Sequence, residues 1–185
     1  MDAHDAVDLL TTAVEPAPGI WADLGAGTGT FTRALARILG PPSRIHAIDT
    51  DARALEEIRR STFPAGVDVM AMLGDFTSPV TLAEPEDVQF NGLVAANSLH
   101  FVGDAEAVLE HWIPRLGDHG RIVVIEYDRR EASRWIPYPM PPARLSDIAR
   151  KLGLPEPRIT ATRPSEYSGE LYVATIDAGS GLSAD

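Results

Sequence analysis

From Ala22 the chain reads Ala22-Asp23-Leu24-Gly25-Ala26-Gly27-Thr28-Gly29-Thr30, an acid followed by three glycines at alternate positions. Glycines at this spacing let a backbone turn sharply and let a ligand lie against bare peptide, and a helix opening at Thr30 would add its unpaired N–H groups to the same turn. The spacing is not the G-x-G-x-x-G of dinucleotide-binding turns, because Thr30 stands where the third glycine or alanine would be. That turn reads a pyrophosphate, and an aspartate at a strand tip repels an anion, so the expected ligand carries positive charge. Asp49 ends Ile45-His46-Ala47-Ile48-Asp49 and lies 24 residues after Gly25, close to the ~20 expected for an acid that takes ribose hydroxyls. Gly74-Asp75-Phe76 follows a third apolar run, and Gly92-Leu93-Val94-Ala95-Ala96-Asn97-Ser98-Leu99-His100-Phe101 is a fourth such stretch. The imidazole of His100, just past the fourth run, is a side chain suited to proton abstraction near neutrality.

Each of these residues also has an ordinary structural use. The glycines could serve a plain tight turn, Asp23 could accept from local amides, and Asp49 could help cap a helix, although Thr50 and Asp51 stand ready for that. His100 could be a buried histidine bonded to backbone. Glu126 and Tyr127, at the end of a fifth apolar run, could contact an acceptor, or the acid could be solvated or paired with an arginine such as Arg129. Trp135 and Tyr138 lie in a proline-rich stretch that could wall an apolar pocket or simply pack on a sheet edge.

The elements that must position these groups alternate between strand-length apolar runs and segments of helical period. Strands are expected at Ile20–Leu24, Arg44–Ile48, Val67–Leu73, around Gly92–Ala96 and at Arg121–Tyr127, with a first helix over His4–Val14 and others opening near Thr30 and at Thr50 or Asp51. Val108, Leu109, Trp112, Ile113 and Leu116 share one helical face, and Gly117 with Gly120 should break that helix. Beyond the insert at 128–142, a helix near Ala143–Leu152 precedes two strands, Arg158–Arg163 and Tyr167–Ile176, expected as a hairpin. The class is α/β: a single doubly wound, mostly parallel seven-stranded sheet with helices on both faces. Residues 1–18 form an N-terminal helix and linker, 19–178 the domain, and 179–185 a frayed end.

Composition bounds the function. A chain of 185 residues that is 44% hydrophobic and 23% charged can bury the core of one domain. The longest uncharged stretch, Val88–Gly103, is 16 residues and includes Gln89, Asn91, Asn97, Ser98 and His100, short of the ~20 apolar residues of a bilayer span. The N-terminus is acidic where an export signal is basic, so a cytoplasmic location with no membrane partner is expected. No cysteine is present, which removes disulfides, thiolate metal sites and cysteine nucleophiles, and no His and acid spacing marks a metal site. A net charge of −11 with one lysine, Lys151, disfavours a nucleic-acid partner, since neutralising phosphates needs runs of basic residues.

The four stretches above, in this order, resemble the motifs of the class I S-adenosylmethionine-dependent methyltransferases along nearly the whole chain. The resemblance implies a last strand that runs antiparallel, and S-adenosylmethionine as cofactor with S-adenosylhomocysteine as product. Asp23, Gly25, Ala26, Gly27, Thr28 and Gly29 would hold the cofactor, Asp49 and Thr50 its ribose, and Asp75 and Phe76 its adenine. Asn97 and Ser98 would line the place where methyl and acceptor meet. The implied activity is methyl transfer to a small-molecule acceptor contacted by His100, Glu126, Tyr127, Trp135 and Tyr138, with His100 as a candidate base. The Asn or Asp, two prolines and an aromatic that mark amino-methyltransferases are absent, which disfavours nucleobase or glutamine-amide methylation. Little chain precedes the first strand to form a lid, so the acceptor pocket would be open or completed by a second subunit in a homodimer. The rivals are a binding or regulatory module that keeps the cofactor site without catalysis, and a nicotinamide oxidoreductase, which the glycine spacing and Asp23 disfavour.

Overall fold

Strand β1 (Ile20–Leu24) leaves the chain at the centre of the sheet, and its side chains are buried from Trp21 onward, as a strand covered on both faces requires. In the computed structural model, which describes residues 3–78, 89–128, 131–165 and 169–178, β2 (Ser43–Asp49) and β3 (Val67–Leu73) add in parallel on one side of β1. The chain then returns to place β4 (Phe90–Ala96) and β5 (Leu116–Tyr127) in parallel on the other side. Strands β6 (Arg158–Pro164) and β7 (Glu170–Asp177) form an antiparallel hairpin, with β7 inserted against β5. The order is therefore β3-β2-β1-β4-β5-β7-β6, with the last strand antiparallel to its neighbours. Strand order reverses between β1 and β4, and the crevice at their carboxyl ends is where open α/β sheets bind ligands.

Alternation along the strands divides the core into two layers. Leu93 and Ala95 of β4 pack with Leu109, Trp112, Leu145 and Tyr172, whereas Val94 and Ala96 pack with Leu10, Phe31 and Leu35. The first layer is covered by α4 (Ala105–Trp112) and α5 (Pro142–Lys151), the second by α1 (Ala3–Leu10) and α2 (Thr30–Ile38). Helix α3 (Ala52–Arg60) seats Leu55 and Ile58 on a smaller cluster with Ala26 and Ala47, under the glycine turn. Asp51 caps α3, its Oδ1 accepting from Arg53 N at 2.8 Å, and Asp104 caps α4 by accepting from Ala107 N at 3.0 Å.

Three expectations are corrected in detail. The first helix ends at Leu10, not Val14, because the Thr11 and Thr12 hydroxyls bond back to the Asp8 and Leu9 carbonyls and compete with the helix. Ala13 and Val14 remain buried beyond it. Gly117 and Gly120 do not simply break a helix: α4 stops at Trp112, a short turn containing Pro114 follows, and β5 begins already at Leu116. Its pairing with β4 is irregular there, stepping from Phe90 opposite Leu116 to Gly92 opposite Arg121. The expected hairpin is present, although its second strand begins at Glu170, and residues 166–168 and 179–185 lie outside the described residues. Trp112 is core, as its helical spacing implies. Among the described residues no helix is long and apolar enough to cross a membrane, and no group of His and acids could hold a metal ion.

Candidate functional site

The glycine turn is held from below. Gly25 N and Ala26 N donate to Ile48 O at 2.9 and 3.0 Å, which ties the end of β1 to that of β2. Gly25 has φ +79°, and a Cβ there would come within 2.5 Å of Ser98 Cβ and 3.3 Å of the Phe76 ring. Only glycine therefore lets the loops after β1, β3 and β4 meet. Gly27 has φ +53°, yet a Cβ on it would meet nothing within 4 Å. Its open face is the part of the turn left for a ligand. Gly29, by contrast, packs on the Ile58 side chain, so its place in the motif serves helix packing. Ala26 is buried and Thr28 exposed at the turn.

Asp49 sits at the junction of two loops. Its Oδ2 accepts from Gly27 N and its Oδ1 from Asp51 N, both at 2.8 Å. An ionised carboxylate offers about four acceptor sites, so acceptor capacity remains at the rim, beside exposed Thr50. The next strand end is chained on by Gly74 N donating to Asp49 O at 3.0 Å. Asp75 Oδ1 accepts from Thr77 N and Thr77 Oγ1, and this small turn presents Phe76, whose carbonyl takes the Trp112 indole N–H at 3.0 Å.

Asp23 lies deeper than its place in the sequence implies. It is 1% exposed, and its Oδ2 accepts from Thr32 Oγ1 at 2.6 Å, under the turn and against α2. Burial lifts its titration from 3.8 to about 6; the Thr32 hydrogen bond opposes this and the Asp49 charge adds to it. Asn97, at the end of β4, has φ +54°, uncommon for a residue with a side chain, and is fixed by N–H donation to Ile125 O at 2.8 Å. Its Oδ1 and the Ser98 Oγ are buried with no hydrogen-bond partner among the described residues. Orphaned polar atoms next to the glycine turn, with Ser98 against Gly25, are what a polar ligand would satisfy, and strained backbone concentrates at such sites.

On the far side of Asn97 is a cavity of about 620 Å³ lined by Asn97, His100, Phe101, Tyr127, Ser133, Trp135 and Ile136. His100, Tyr127 and Trp135 meet there. Tyr138 does not line it: its N–H donates to His100 O at 2.9 Å and its ring lies by Gly103, so it anchors the insert. Glu126 is not at the rim either. It is 1% exposed, its Oε2 lies 2.7 Å from His100 Nδ1, and its Oε1 accepts from His100 N at 3.1 Å. Arg129 lies outside the described residues. Across the sheet Glu126 pairs with Tyr172, whose phenol is pushed up, chiefly by burial and then by the Glu126 charge. The Tyr172 O–H accordingly stays protonated and donates to Met140 O at 2.7 Å, fastening the insert to β7. Ser133 and Ile136 also line it, and neither carries a motif that would mark it in the sequence as a pocket wall.

A parallel sheet whose order reverses between β1 and β4, with a glycine turn and an acid at adjacent strand ends, defines a Rossmann-like fold that carries its site at the crevice. The chain belongs to the methyltransferase-domain family, whose model it matches over residues 22–120. A ribosomal RNA small subunit methyltransferase H from Paracidovorax citrulli is 41% identical over 59 residues, 31% of this chain and 19% of that protein. A release factor glutamine methyltransferase from Thermosynechococcus vestitus is 33% identical over 79 residues, 42% of this chain and 26% of that protein. The chain thus aligns with about a fifth to a quarter of the length of these relatives. In fold it is similar to an S-adenosylmethionine-dependent methyltransferase from Aquifex aeolicus, with a TM-score of 0.69 at 14% identity, covering 93% of this chain and 89% of that one.

Proposed function

We propose that this protein transfers the methyl group of S-adenosylmethionine to a small-molecule acceptor. The observation that carries the reading is the Asp49 carboxylate, held by Gly27 N and Asp51 N at the rim of the turn, beside the open face of Gly27. In this reading Asp49 and Thr50 take the ribose, and Asp75 with Phe76 takes the adenine. The main chain of Gly25 to Gly29 lies along the amino-acid moiety, and Asn97 and Ser98 offer their unpartnered oxygens at the junction with the cavity that Asn97 lines. Asp23 acts from beneath, its field favouring a cationic ligand. When bound, the cofactor supplies a sulfonium methyl open to in-line displacement, so the protein's task is chiefly to hold two reactants in line and exclude water. A cavity of about 620 Å³ fits a small acceptor, and the charge of −11 disfavours a polyanion.

Calorimetric titration tests this, with S-adenosylmethionine and S-adenosylhomocysteine as ligands and NADH as control. Micromolar binding of both sulfur compounds is expected, weakened ~10-fold or more by Asp49→Ala, about 1.4 kcal/mol. No binding of either compound would refute the reading.

A further inference from the structure

We infer that His100 and Glu126 form a general-base pair for an aromatic acceptor bearing an ionisable O–H, a hydroxyarene, bound in the cavity beside Asn97; this rests on the methyl-transfer reading above. Both Glu126 oxygens are spent on His100, one on its ring Nδ1 at 2.7 Å and one on its backbone N–H at 3.1 Å. The clamp fixes the ring's position and the tautomer with Nδ1 protonated, which leaves Nε2 as the basic nitrogen. His100 is one of the residues that line the cavity, and in this inference its Nε2 is the nitrogen that meets the acceptor. A packing histidine needs one hydrogen bond; burying a carboxylate beneath it as well carries a desolvation cost. That cost is matched by a use if the ring must become an imidazolium, whose charge Glu126 then stabilises.

The rest of the wall describes the acceptor. Phe101 stacks obliquely on His100 with centroids 4.3 Å apart, Tyr127 stands 6.4 Å from the same ring, and Trp135 and Ile136 close the other side. Trp135 is 75% exposed and Phe101 57%, a large apolar surface for a small cavity. Flat aromatic surface suits a planar ring. The choice of oxygen follows from the base. An arylamine attacks through a lone pair it already has, whereas a phenolic oxygen, with a pKa of about 10, becomes a strong nucleophile only on losing its proton. In the step, His100 Nε2 takes the proton from the acceptor O–H. The oxygen bonds the methyl carbon as the carbon–sulfur bond breaks, its electron pair going to sulfur, and the proton leaves His100 for water as the product departs.

The test uses the full-length protein, with 2-naphthol and 4-nitrophenol as probes. Calorimetry should show both binding to the S-adenosylhomocysteine complex, and 2-naphthol binding should weaken ~10-fold in Trp135→Ala. Turnover is then compared at mildly alkaline pH, where 4-nitrophenol is already ionised and 2-naphthol is not. In His100→Gln the ratio of 2-naphthol to 4-nitrophenol turnover should fall by ~10² or more, the range of general-base catalysis, with S-adenosylhomocysteine affinity unchanged within about twofold. Glu126→Gln, which keeps the volume, should move the same ratio in the same direction. An equal loss on both probes would assign the pair a structural role and overturn the inference. So would failure of the S-adenosylhomocysteine complex to bind or of the wild type to turn over either probe, leaving the cofactor reading intact. Absence of S-adenosylhomocysteine binding would overturn both.

Discussion

Replacing Asp23 with asparagine should stabilise the protein, and more so as pH rises. The carboxyl is 1% exposed, and burial sets its titration at about 6 in place of 3.8. A folded value above the unfolded one means that the native state holds the proton more tightly. The contribution is therefore fully present below the unfolded value and is lost as pH rises through the folded one. Raising the value from 3.8 to about 6 costs the ionised native state ~3 kcal/mol, at ~1.4 kcal/mol for each tenfold change in proton affinity. Asparagine keeps the volume, and its Oδ1 can still accept from Thr32 Oγ1, now 2.6 Å from the carboxylate. Urea and thermal denaturation of both proteins at about pH 4.5 and about pH 8 isolates the effect, because every other titrating group is common to both. The variant's advantage should grow by ~2 kcal/mol between the two pH values, or ~4–8 °C in Tm. An advantage that does not change with pH, or a variant less stable at both, would refute the account of Asp23 as a buried, charge-penalised group.

Two glycines of the turn should respond differently, one chiefly in stability and the other chiefly in binding. Gly25→Ala places a Cβ 2.5 Å from Ser98 Cβ at φ +79° and should cost ~2–4 kcal/mol in denaturation, with cofactor binding lost as the loops separate. Gly27→Ala meets nothing within 4 Å and should cost only ~1–2 kcal/mol for its left-handed φ, while its methyl group occupies the ligand face. Calorimetry should then show S-adenosylhomocysteine affinity down ~10-fold or more despite a folded protein; unchanged affinity would remove Gly27 from the site. Trp112→Phe deletes the donor to Phe76 O and leaves a gap in the core beside Phe90, so chemical denaturation should show a loss of ~1–3 kcal/mol. Wild-type stability in that variant would mean the indole N–H does not hold the Asp75–Phe76 turn.

Much of the architecture was legible because it is local. Strand periodicity, the positive-φ glycines and the Asp51 cap each act over a few residues, so β1, β3, the start of α2 and the start of α3 lie where pattern places them. The errors fall where distant parts of the chain compete with local preference. Gly117 and Gly120 look like helix breakers, but Leu116 pairs with Phe90 and draws the chain into the sheet early. Pairing likewise sets the start of β7, through Tyr127 opposite Leu171.

By itself the sequence determined the class of the molecule and the identity of the cradle: alternating apolar runs dictate a doubly wound sheet, and glycines with Asp49 at strand ends dictate a turn open to a ligand. These follow from backbone sterics and side-chain period, which need no partner far along the chain. The tertiary structure alone decided which polar groups face the crevice and which face each other. Whether Asp23 points into the turn or beneath it depends on where α2 brings Thr32. Whether Glu126 is solvated depends on a contact with His100, 26 residues away. A carboxylate's chemistry is set by its burial and its partner, and neither is written in its own neighbourhood.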